Sequence, residues 1–95
     1  MSNISEQTIF LHKSKHLYDD QGKFDGSTYC EEQSEADQVC VFLQQHYHNK
    51  GEFDILEEKD FEIKDHKNFN AAYEAAENYA QELQKKYPNA MQGEY

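Results

Sequence analysis

The chain contains no unbroken hydrophobic run near the roughly 18 residues needed to cross a bilayer, so no membrane span is expected. Its opening, MSNISEQTIF, lacks the basic and apolar regions of a signal peptide, which makes a cytoplasmic protein the expectation. Cysteine occurs twice, at Cys30 and Cys40, with no CxxC pair. The two thiols therefore read as reduced packing residues, not as a disulfide or a metal-binding pair. Nucleophile signatures are missing too: there is no GxSxG, no Gly-rich phosphate loop, no Ser-x-x-Lys set and no HExxH. A chain this short offers little material for a deep pocket around a carboxyl of shifted pKa. The expectation is a non-catalytic protein without cofactor or metal.

Positive charge is scarce. Nine Lys and Arg stand against 19 Asp and Glu, for a net charge of −10. Nucleic-acid phosphate and anionic membranes would be repelled, so direct binding to either is not expected, while basic partners are favoured. Leu, Ile, Val and Phe total 17 of 95 residues, a level at which disorder must be considered. Seven tyrosines, a single proline and periodic apolar positions argue instead for a folded chain with a thin, aromatic-rich core. The length fits one domain, expected over residues 1–88, with 89–95 as a loose tail.

The negative charge is concentrated. Residues 31–65 hold eleven acids and three lysines, net −8, whereas the flanking thirds are each net −1. Within that sector GEFDILEEKDFEIKD, residues 51–65, places Phe53, Ile55, Phe61 and Ile63 on odd positions. Asp54, Glu58, Asp60 and Glu62 occupy even ones. That alternation predicts strand material, either one long strand or a hairpin turning near Glu58-Lys59. TIFLHKSKHLYDD, residues 8–20, also reads as β, leading into a turn at Asp20-Gln21-Gly22, with a helix over 5–17 capped by Ser5 as the competing reading.

Two helices are expected. Over 34–48, Ser34 with Asp37 fits a capping box, as does Thr28 with Glu31, and Ala36, Val39, Cys40, Leu43 and Tyr47 form one apolar stripe. Over 69–87, Ala72, Ala76, Tyr79, Ala80, Leu83 and Tyr87 form another, ended by Lys85, Lys86 and Pro88. The predicted fold class is thus α+β: a small antiparallel sheet with two helices packed on one face, in the order ββαβ(β)α.

The five histidines supply no metal motif. On a strand His12 and His16 would stand roughly 13 Å apart, and His46 and His48 belong to a predicted helix end. The candidate partner-binding residues are the acids: Glu31, Glu32, Glu35 and Asp37 in one group, Asp54, Glu58, Asp60 and Glu62 in the other. Even positions on a strand recur every ~6.8 Å, about half the charge density of one nucleic-acid strand at ~3.4 Å per phosphate. A mimic of nucleic acid therefore needs both groups on one surface. Helix-start acids can equally serve as caps, and acids on an outer strand can simply prevent edge pairing. Eight net charges in 35 residues exceed those needs and cost stability by self-repulsion.

The expected function is a non-catalytic acidic protein that binds a basic surface. Its sharpest form is a nucleic-acid-mimicking inhibitor, of the kind small phage and mobile-element proteins use against host defence nucleases, occupying the groove of a nucleic-acid-binding protein. Tyr29, Phe53 or Phe61, if exposed, would add aromatic anchors. One rival is an interaction module or homodimer using an apolar open sheet face. Another is a divalent-cation site built from Asp54, Glu58 and Asp60.

Overall fold

The computed structural model describes residues 5–47 and 51–94. The chain runs through strand β1 (Ser5–Tyr18), β2 (Phe24–Tyr29), a 3-10 turn (Gln33–Glu35), β3 (Gln38–Tyr47) and β4 (Glu52–Glu62). A second 3-10 turn (Ile63–Asp65), helix α1 (Phe69–Lys86) and β5 (Met91–Glu94) complete it. The sheet order is β2-β1-β3-β4, all antiparallel, and β5 adds to β1 in parallel. The result is a mostly β structure, a curled half-barrel with one α-helix among the described residues.

The two-helix arrangement is therefore corrected. Residues 38–47 of the expected first helix form β3, and only the 3-10 turn precedes it. The physical reason is burial on both faces: Val39, Val41 and Leu43 are fully buried on one side, while Cys40 is buried on the other. A run buried on both sides shows no clean two-residue alternation, and its apolar residues also satisfy a helical stripe. The β-branched and aromatic content of VCVFL fits a strand better than a helix.

The β1–β2 turn follows its sequence. The Asp19 carboxylate accepts from the Gln21 and Lys23 backbone N–H groups, both at 2.9 Å, and Gly22 takes φ +79°. Helix α1 is capped by Asn68, whose side chain accepts from Ala71 N at 2.9 Å. Ala72, Ala76, Ala80 and Leu83 are its buried residues, and the alanines let its axis lie close to the sheet. They pack on Ile9, Val39, Val41, Leu43 and Phe61, with Ala90 closing the end.

Past the helix, the segment expected as a loose tail supplies β5. The Gln84 side chain organises that reversal: it donates to the carbonyls of Tyr87, Pro88 and Ala90 and accepts from Gln92 Nε2 at 2.7 Å. Both cysteines are free and buried. No helix among the described residues is long and apolar enough to cross a membrane.

A sheet with one helix is two layers, and the shortest dimension is 18 Å against a length of 52 Å. The accessible surface is 6670 Å², compared with about 5,700 Å² for a compact monomer of this mass. The excess belongs to a thin plate with one sheet face uncovered.

Candidate partner-binding face

Strand register fixes which side chains share a face. Ile9, Val41 and Leu43 belong to the helix-covered side, and Val39↔Phe61, Val41↔Lys59 and Leu43↔Glu57 extend that side onto β4. The opposite side carries Phe10, His12, Ser14 and His16 on β1, Gln38, Cys40 and Phe42 on β3, and Glu58, Asp60 and Glu62 on β4.

The register shifts at one point. Leu43 pairs with Glu57 but Gln44 pairs with Ile55, so Leu56 is an extra residue, a β-bulge. Beyond it every side chain of β4 changes sides. Phe53 and Ile55 lie on the uncovered face, opposite His46 and Gln44, while Asp54 lies on the helix side opposite Gln45. The regular odd beat of the sequence therefore spans two different faces. Asp54 is separated from Glu58, Asp60 and Glu62, which dismantles the carboxylate trio of the cation-site reading. Among the described residues no group of three or more His, Cys, Asp or Glu is placed to hold a metal ion.

The other acid group divides as well. Asp37 joins the row: its carboxylate accepts from His16 N at 2.7 Å, and its carbonyl accepts from Ile63 N at 2.9 Å. The His16 ring completes the link, with Nε2 at 2.9 Å from both Glu62 carboxylate oxygens and Nδ1 at 3.1 Å from Ser27 Oγ. Asp37 and Glu62 thus meet at one corner, and Glu62, Asp60 and Glu58 continue along β4. Glu31, Glu32 and Glu35 stay on the exposed connection between β2 and β3. Glu35 lies 4.0 Å from Lys15 Nζ, an exposed pair worth about 0–1 kcal/mol. The structure brings together Asp37, Glu58, Asp60 and Glu62, and leaves Asp54, Glu31, Glu32 and Glu35 outside that line.

The uncovered face also carries apolar surface. Of the eight exposed large hydrophobic residues among those described, Tyr18, Phe24, Tyr29, Phe53, Ile55 and Met91 lie there. Phe53 is 58% exposed, whereas Phe61 is buried in the core and offers no anchor. Between these residues run ring contacts: Phe10 stacks on Phe42 at 5.1 Å, His12 meets Phe42 edge-on at 5.5 Å, and His16 meets Phe24 at 5.3 Å. Beneath them Gln38 Nε2 donates to Ser14 Oγ at 2.8 Å and to Cys40 Sγ at 3.2 Å.

Electrostatics separates reactive from inert groups. Burial, reinforced by Asp60 and Glu58 against the opposing Ser14 contact, pushes the Cys40 thiol up to about 12, so it is protonated and unreactive at neutral pH. Burial raises Cys30 as well. Burial also lowers His12, against the attraction of Asp60 and Glu58. Carboxylates beside an aromatic surface suit cation binding more than nucleophilic chemistry.

Sequence reasoning missed His12, His16, Phe24 and Phe42 as members of this face. The available signal was the even-numbered series Phe10, His12, Ser14, His16 and Tyr18, once residues 5–18 are taken as a strand. His48, paired with His46 in the sequence reading, lies outside the described residues. No family model, curated protein or solved structure matches the chain.

Proposed function

We propose that this chain is a non-catalytic binding protein of the cytoplasm that presents its uncovered sheet face to a basic protein surface. The supporting observation is the line Glu58, Asp60, Glu62 and Asp37 along the border of an exposed aromatic and aliphatic face. Carboxylates steer and align lysine or arginine, and the rings take the aliphatic or guanidinium parts of the same side chains. The charge-mimicry form, with the groove of a nuclease or other nucleic-acid-binding protein as target, rests on the same row. That row alone has about half the charge density of a phosphate strand, so the apolar surface must contribute much of the contact.

The test uses a fluorescent nona-lysine peptide and two variants of equal charge. One is Glu58→Gln/Asp60→Asn/Glu62→Gln on β4; the other is Glu74→Gln/Glu77→Gln/Glu82→Gln on α1. Both are checked for native far-UV circular dichroism. The β4 variant is expected to bind at least tenfold more weakly, the α1 variant within threefold of the native chain. Affinity should also fall steeply between 50 and 500 mM salt. Equal losses from both variants mean diffuse attraction to a net charge of −10 and overturn the reading. Salt-insensitive binding points instead to contact through the apolar face alone.

A further inference from the structure

Strand β4 ends the sheet, and among the described residues no strand pairs with its outer edge. It is eleven residues long, about twice the usual strand length of 5–6. Long open edges are normally blunted by proline, by charged side chains (lysine above all), by bulges or by shortness. The carboxylates of β4 act this way against neutral or acidic strands but not against a basic one. β4 has no proline. Its one lysine, Lys59, is drawn back over the Phe61 and Tyr79 rings, 5.2 and 5.5 Å from their centres. The bulge at Leu56 interrupts the edge once and leaves Glu57–Glu62 as an uninterrupted run.

We infer that the outer edge of β4 accepts an extended basic segment of the partner as an additional antiparallel strand; this inference rests on the basic partner proposed above. The pattern on the uncovered face sets the segment's chemistry. Read from the end of β4 backwards, that face shows Glu62, Asp60, Glu58, then Ile55 and Phe53. An antiparallel strand therefore needs cationic side chains at its first, third and fifth positions and apolar ones at the seventh and ninth. Antiparallel pairing is the more stable geometry per residue, and opposite charges across it are favourable. A second copy of this chain is the wrong occupant. Pairing β4 with itself about a two-fold axis through its acidic half sets carboxylates against carboxylates, which is destabilising.

The probe is the peptide Lys-Thr-Lys-Thr-Lys-Thr-Val-Thr-Val with native protein. Two further versions carry backbone N-methyl groups, one on alternate residues of each frame. Methylation removes N–H donors from one edge of the peptide and leaves its charge unchanged. Strand addition predicts that one frame loses at least tenfold in affinity while the other stays within threefold of the parent. Equal binding by all three peptides overturns strand addition, and the acidic-surface reading stands if the β4 triple variant still weakens them. Failure of the parent peptide to bind, with nona-lysine bound selectively through β4, overturns only the strand geometry. Failure of both peptides overturns both proposals.

Discussion

Gly93 shows how a single residue can be fixed by a neighbour far away in sequence. A Cβ built there would lie 2.7 Å from Phe10 Cε1 and 2.8 Å from Thr8 Cγ2. The Phe10 ring cannot swing aside freely, because it stacks on Phe42. Gly93→Ala is therefore expected to destabilise the fold by about 1–3 kcal/mol through overpacking, read as a lower urea midpoint. An unchanged midpoint would mean that β5 shifts away from β1 at little cost. Nothing around Gly93 in the sequence announces this constraint. The hairpin glycine was legible by contrast, since Asp19, Gln21 and Gly22 carry their turn chemistry within five residues.

At the level of elements, α1 was readable almost to the residue and β3 was not. The helix has one buried and one solvated side, so its period is visible in the sequence. Strand β3 lies between β1 and β4 and is buried on both sides at Val39–Val41, so its period is hidden. The bulge at Leu56 was equally invisible, because it depends on how β4 meets β3.

One tie holds the end of α1 to β4. Lys86 Nζ and Tyr87 OH each donate to Glu57 Oε2 at 2.8 Å. The Lys86 bond first, and the Tyr87 bond second, hold the Glu57 carboxyl below its ordinary value. A carboxyl depressed in the folded state contributes stability above its unfolded pKa, and that contribution is lost as pH falls through the lower folded value. Glu57→Gln should thus melt below the native chain at pH 7, and the gap should close towards pH 3. A gap of the same size at both pH values would mean that the ionised carboxylate is not what holds the tie.

For the whole molecule, the distribution of charge sets stability against binding. The eleven acids of residues 31–65 lie on the β2–β3 connection, on the edge strand β4 and in the turn that follows it. Self-repulsion of this kind is screened by salt, whose Debye length is about 10 Å at 0.1 M. The melting temperature should rise by several degrees between 20 and 300 mM sodium chloride. Glu58→Gln/Asp60→Asn should raise it at low salt and reduce its salt response, while weakening nona-lysine binding. A lower melting temperature would show that these carboxylates serve the fold itself. The sequence by itself determined the acidic class of the protein, its β-hairpin, the final helix and the sector that holds the charge, because composition, turn chemistry and one-sided periodicity are local. Only the tertiary structure decided that residues 38–47 are a central strand, that Asp54 faces away from Glu58, Asp60 and Glu62, and that Asp37 joins them through His16. Each of those outcomes depends on which strand lies beside which, and pairing across the sheet is a long-range choice that no local pattern encodes.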